Sequence, residues 1–148
     1  MSVIVWDGQV LVTDRAVNDG TNRWVLPKMW KVRDGVLAAI GPTFDVNRFL
    51  GWYNSDGPTA EKFPTYNGRV NAVLVREKSL FRFDHLGNQV EHGTNKLALG
   101  EGRDFAYGAL ALGHTAIEAV KAANMYSIVC GLGFHAYDAQ TDQWHEGE

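Results

Sequence analysis

Val3-Ile4-Val5-Trp6-Asp7-Gly8-Gln9-Val10-Leu11-Val12-Thr13 contains two runs of β-branched, aromatic and apolar residues separated by Asp7-Gly8. Asp-Gly between such runs is a strong short-range signal for a tight hairpin, so paired strands are expected from the first residues onward. A polar stretch, Val17 to Arg23, follows, and Trp24 to Leu26 has the residue types of a short strand. Lys28 to Val32 and Val36 to Ile40 predict a second hairpin around Arg33-Asp34-Gly35.

Gly41-Pro42-Thr43 interrupts the strands, with Pro suited to a first helical turn. Val46, Phe49, Leu50 and Tyr53 then recur at i, i+3, i+4 and i+7, which predicts an amphipathic helix. Asn54 to Asn67 collects Gly, Pro, Ser and Asp and reads as a loop. Arg69 to Arg76, Leu80 to Asp84, Gln89 to Glu91 and Lys96 to Leu99 are strand-like. A helix is predicted over Arg103 to Leu112, stopped by Gly113. Thr115-Ala116-Ile117-Glu118 is a capping box and starts another helix running to about Met125. Ser127 to Val129 and Phe134 to Tyr137 are expected to be closing strands. Residues 1–137 form one expected domain, and the acidic tail 138–148 is expected to fray. Strands, a helix, strands, two helices and strands in that order describe a layered α+β fold rather than alternating βαβ units.

At 148 residues, 45% hydrophobic and 21% charged, the chain has the size and composition of a globular domain with a real core. Its net charge is −3 and its 14 basic residues are scattered singly, so nucleic acid is not an expected partner. No apolar run reaches spanning length, which excludes a helical membrane protein, and Met1 to Gly8 lacks the pattern of a secretory signal. One cysteine, Cys130, allows no intrachain disulfide and suits a reducing cytoplasm, the expected location. The histidines His85, His92, His114, His135 and His145 show no paired ligand spacing, so neither a metal nor a cofactor is expected. Gly100-x-Gly102 lacks the Lys-Ser/Thr of a phosphate loop.

Several landmarks fall in an order that resembles the proteasome β-subunit and bacterial HslV family of N-terminal-nucleophile (Ntn) hydrolases. Ser2 to Gly8 looks like the family's opening strand and turn, with Ser2 where the catalytic Thr sits. Val12-Thr13-Asp14-Arg15-Ala16 is similar to the segment bearing the family's Asp, and Lys31-Val32-Arg33 to the strand bearing its Lys. Ala38-Ala39-Ile40-Gly41 looks like the small-residue turn that forms the oxyanion hole, and Leu99-Gly100-Glu101-Gly102 like the turn before the two-helix corner. The resemblance reaches about Tyr137. It implies a four-layer αββα sandwich of two antiparallel sheets and a peptidase acting on a peptide or protein. It also implies a homo-oligomer, in relatives a ring, served by a separate ATPase unfoldase.

A hydroxyl is a weak nucleophile at neutral pH, and an α-amine with a pKa of about 8 on the same residue can act as its base. Met1 precedes a small residue, the usual context for methionine removal, so Ser2 is the expected nucleophile. By the resemblance, Lys31 lowers the cost of the alkoxide, Asp14 orients Lys31, and the Ala39 amide holds the oxyanion. Glu101, Ser127 and Cys130 stand where the family places supporting groups. Ser for Thr, Glu101 for Ser, and Ser127 for a second Asp depart from the pattern. They leave a second function open: a catalytically silent structural or assembly subunit, for example a component of a phage particle. An acyl-transfer enzyme on a small amide shares the nucleophile. Asp14 and Lys31 also suit a structural ion pair or plain surface charges.

Overall fold

The computed structural model describes residues 2–55, 59, 63–64 and 70–148. Two hairpins begin it, β1 (Val3–Trp6) with β2 (Val10–Asp14) and β5 (Met29–Val32) with β6 (Gly35–Ile40). Between them lies the short ribbon β3 (Ala16–Asn18) and β4 (Arg23–Val25): most of the polar stretch Val17 to Arg23 is its connecting turn, and β4 includes Trp24 and Val25 of the strand expected at Trp24 to Leu26. Helix α1 (Thr43–Tyr53) follows, then β7 (Asn71–Arg76), β8 (Ser79–Phe83), β9 (Gln89–Gly93) and β10 (Leu97–Gly100). Helices α2 (Arg103–Ala111) and α3 (Ala116–Tyr126) precede β11 (Phe134–Asp138) and β12 (Gln143–Gly147). Among the described residues all paired strands are antiparallel: one five-stranded sheet is ordered β10-β1-β2-β11-β12, another β5-β6-β7-β8-β9, and β3-β4 is a two-stranded sheet by itself. The described residues are thus α+β, with few helices.

Several expectations are corrected. Ser127 to Val129 is turn and coil, because a capped helix ends at Tyr126 and the chain then doubles back through Gly131 and Gly133, both with positive φ. The tail expected to fray instead forms β12, paired with β11 from Gln143 to Gly147, and the turn before it is held by the Asp138 carboxylate accepting from Gln140 N. Part of the Asn54 to Asn67 loop and residue Arg69, like Met1, lie outside the described residues.

Every residue of β1 is buried, yet its side chains divide by period two. Val3 and Val5 pack with Val12 of β2 and with Ala106, Val120 and Ala123 on the apolar faces of α2 and α3. Ile4 and Trp6 turn the other way and share a cluster with Val36, Ala38, Ile40 and Val73 of the second sheet. The second sheet repeats the division: Leu37, Ala39, Ala72 and Leu74 point away from that cluster and pack with Phe49 and Trp52 of α1. An uninterrupted apolar strand is the pattern of a strand covered on both faces. Asp7 ties the first hairpin to the helices: its carboxylate accepts from Gln9 N and Val10 N at 3.0 and 2.9 Å, and from Ala116 N at 2.9 Å. The capping box of α3 is made in both directions, Glu118 N to Thr115 Oγ1 at 3.2 Å and Thr115 N to Glu118 Oε1 at 3.3 Å.

Phe49 is fully buried, and its ring meets Phe83 edge-on at 5.1 Å. Phe49→Ala is expected to cost about 3–5 kcal/mol in urea denaturation. Phe44→Ala, on the 72% exposed side chain of the same helix, should stay within about 0.5 kcal/mol.

Candidate functional site

Asp14, at the end of β2, is completely buried and is the centre of a polar cluster. Its Oδ1 accepts from Val3 N at 3.1 Å and from Lys28 Nζ at 2.9 Å, and its Oδ2 accepts from Gly131 N at 3.2 Å. Lys28 Nζ also donates to the Ser2 hydroxyl. Ser2 and Lys28 are each only 6% exposed, so hydroxyl, ammonium and carboxylate form one buried chain. Burial pushes the Lys28 ammonium below the usual lysine range, and the charge of Asp14 opposes that shift.

Lys31, the lysine expected here, is exposed on β5 and pairs by register with Val36. An odd separation of three along an extended segment puts its side chain on the face opposite that of Lys28. Lys28 lies just before β5, where the ladder continues one step: Ala39 N donates to the Lys28 carbonyl at 3.0 Å. That bond corrects a second expectation, because the Ala39 amide is already engaged. The sequence signal for Lys28 was its place at the edge of an apolar run, Pro27-Lys28-Met29-Trp30, but two lysines on one segment differ only in face and depth.

The turn after β10 reaches the site through its backbone. Gly102 N donates to the Ser2 carbonyl at 3.3 Å. Gly100 has φ of +98°, and a Cβ there would lie 2.2 Å from the Ser2 carbonyl oxygen, so the close approach requires glycine. Glu101 is exposed in this turn. Ser127 caps the end of α3, where its hydroxyl accepts from Val129 N at 3.4 Å. The Cys130 thiol is buried against the helices, and burial, then the Asp14 charge, raises its pKa. What the 127–133 loop gives the cluster is the Gly131 amide. Three carbonyls hold that loop in place: Cys130 O accepts from the Arg23 guanidinium, Gly131 O from Arg15 N at 3.1 Å, and Leu132 O from Arg15 Nε at 2.8 Å. Neither arginine was singled out by sequence, since each acts through backbone distant in the chain.

A cavity of about 260 Å³ is lined by Ser2 and Lys28 and bounded by β3, the Leu26-Pro27-Lys28 segment, the end of β6 and α1. The arrangement brings together a hydroxyl, a cation touching it, a buried anion fixing the cation, and a cavity beside them.

The sequence matches no protein-family profile and no curated protein. The fold is similar to that of BPH from Thiobacillus denitrificans, with TM-score 0.71 and 16% identity over 93% of this chain and 96% of that one. The same protein in complex with epoxomicin gives TM-score 0.69 and 15% identity over 92% and 96%. A Gly-1 mutant of Anbu from Hyphomicrobium sp. strain MC1 gives TM-score 0.74 and 14% identity over 99% and 86%. At these identities the likeness is one of fold. Among the described residues no helix is long and apolar enough to cross a membrane.

Lys28→Met leaves the Asp14 carboxylate buried without its cation and is expected to cost about 3–5 kcal/mol, against about 0.5 kcal/mol or less for Lys31→Met. Lys28 has a folded pKa below its ordinary 10.5, so between the two values the unfolded chain binds more protons and the fold gains stability as pH rises. Denaturation across alkaline pH should show that contribution in the wild type and lose it in Lys28→Met. Arg23→Ala removes the clamp on Cys130 O. Amide exchange at Gly131 should accelerate about tenfold, equivalent to ~1.4 kcal/mol of local stability, and an unchanged rate would show that Arg23 does not hold the loop.

Proposed function

We propose that this chain is an N-terminal-nucleophile amidohydrolase, a peptidase of the proteasome β-subunit and HslV type, on a four-layer αββα sandwich. The observation that carries the function is the buried contact of Lys28 with both Ser2 Oγ and Asp14. Support for the sandwich comes from the three apolar clusters, one between the sheets and one on each outer face.

With Met1 removed, the α-amine of Ser2 takes the hydroxyl proton, directly or through one water, as Oγ attacks the scissile carbonyl. Lys28 stabilises the developing alkoxide, and Asp14 keeps the ammonium in place. The oxyanion then needs a donor other than Ala39. Along β6 the amides of alternate residues face the same edge, so the next amide after Ala39 on that edge is that of Gly41. Gly41 lies past the start of β5 and lines the cavity with Ser2. One such donor is worth roughly 3 kcal/mol of transition-state stabilisation. Collapse of the tetrahedral adduct passes the proton from the α-amine to the leaving nitrogen and leaves an ester on Ser2. Water, deprotonated by the same amine, hydrolyses that ester.

A peptidyl epoxyketone tests this directly, because its two electrophilic carbons consume a hydroxyl and an amine of one residue. Protein purified from its native host should lack Met1 and gain one inhibitor mass on Ser2. Labelling should rise with pH and level off near ~8, as the α-amine loses its proton. Ser2→Ala should gain nothing. Retention of Met1 in the native protein would remove the base and leave a silent structural or assembly subunit.

A further inference from the structure

Resting on the hydrolase function above, we propose that Arg23 is a positioning residue for the nucleophile: its charge makes the surroundings of the Ser2 hydroxyl net positive, and its guanidinium holds the Gly131 amide against Asp14. The ribbon of β3 and β4 belongs to neither five-stranded sheet, and Arg23 stands on it opposite Asn18. From there its Nη2 donates to the Cys130 carbonyl. The guanidinium lies against Gly131, where an added Cβ would come 2.3 Å from Nη2 and 3.3 Å from Cζ. Cys130 O and Gly131 N belong to one peptide unit, so Arg23 grips one end of the amide whose other end donates to Asp14 Oδ2 at 3.2 Å. A hydrogen bond at the carbonyl polarises that unit and strengthens its N–H as a donor.

Asp14 and Lys28 are one anion and one cation 2.9 Å apart, so their charges cancel around the hydroxyl. An alkoxide gains more beside an excess cation than in a site of zero net charge. Cys130 adds no negative charge there, because burial raises its pKa. Arg15 faces two carboxylates, Glu146 at 3.7 Å and Glu148 at 4.0 Å, which offset its own charge. Among the described residues Arg23 enters no ion pair, so its charge is not offset in that way. The field reaches Lys28: burial first, and the Arg23 charge as a lesser cause, lower the pKa of the ammonium against the pull of Asp14. An ammonium that holds its proton less tightly donates it more fully to the developing alkoxide. Arg23 is exposed and lies outside the three apolar clusters, so replacing it leaves the core intact.

The test compares wild type, Arg23→Lys and Arg23→Met, each with Met1 removed. Side-chain NMR follows the titration of the Lys28 ammonium, and intact mass follows the rate at which one peptidyl epoxyketone labels Ser2. Arg23→Met should move the Lys28 titration to higher pH and slow the labelling about tenfold. Arg23→Lys keeps the charge, so it should retain the wild-type titration and recover most of the rate. A structural role alone would impair both variants alike and leave Lys28 titrating where it does in the wild type. An unmoved Lys28 titration in Arg23→Met, a labelling rate within about twofold of wild type, or equal losses in Arg23→Lys and Arg23→Met would each overturn the positioning role while Ser2 remains a nucleophile. Absence of label on wild-type Ser2 would overturn the hydrolase function and the role of Arg23 with it.

Discussion

One carboxylate with no exposure to solvent organises this molecule. Asp14 needs several donors at once, because a buried charge is tolerated only when it is paired and hydrogen-bonded. The fold delivers them to Asp14 on β2 from three places far apart in the chain: Val3 N from the first strand, Lys28 from the approach to the second hairpin, and Gly131 N from the loop after α3. Lys28 cannot leave without stranding Asp14, so its ammonium stays against the Ser2 hydroxyl. The same ion pair therefore satisfies the buried carboxylate and holds an ammonium against the Ser2 hydroxyl.

The sheets place that pair where it is. β1 has helices on one side and the second sheet on the other, so Val3 and Ile4 are buried in opposite directions. Ser2, immediately before them, is held between the end of the sheet and the turn after β10. Gly102 N bonds its carbonyl, and Gly100 admits that carbonyl within a distance that a side chain would close. On the other flank the short ribbon of β3 and β4 carries Arg23 to the 127–133 loop. The loop in turn presents a backbone amide, where the family pattern had suggested the side chains of Ser127 and Cys130.

Departures from the expected pattern thus have different meanings once the geometry is known. Replacing one polar side chain on the 127–133 loop by another matters little to Asp14 if a main-chain N–H supplies the contact. Exchange of Lys31 for Lys28 matters a great deal, since only one of the two faces inward. Ala39 keeps its place in the strand and spends its amide on the Lys28 carbonyl, which also fixes the height of the lysine along the ladder. Gly41, two residues further on, lines the cavity.

Much of the architecture was legible in the residues alone. The β-branched runs on either side of Asp7-Gly8, the 3.6-residue period of Val46, Phe49, Leu50 and Tyr53, and the Thr115–Glu118 capping box are local signals, each satisfied within a few residues of chain. Ser2 and Asp14 were named from the family resemblance of Ser2 to Gly8 and of Val12 to Ala16, and in the fold Lys28 bridges the two. The choice of Lys28 over Lys31, the engagement of Ala39, the pairing of β12 and the arginine clamps on residues 130–132 belong to tertiary structure. Each depends on which face a side chain takes or which distant backbone meets it. Register and approach of that kind are set by packing between elements, and no local pattern of residue types encodes them.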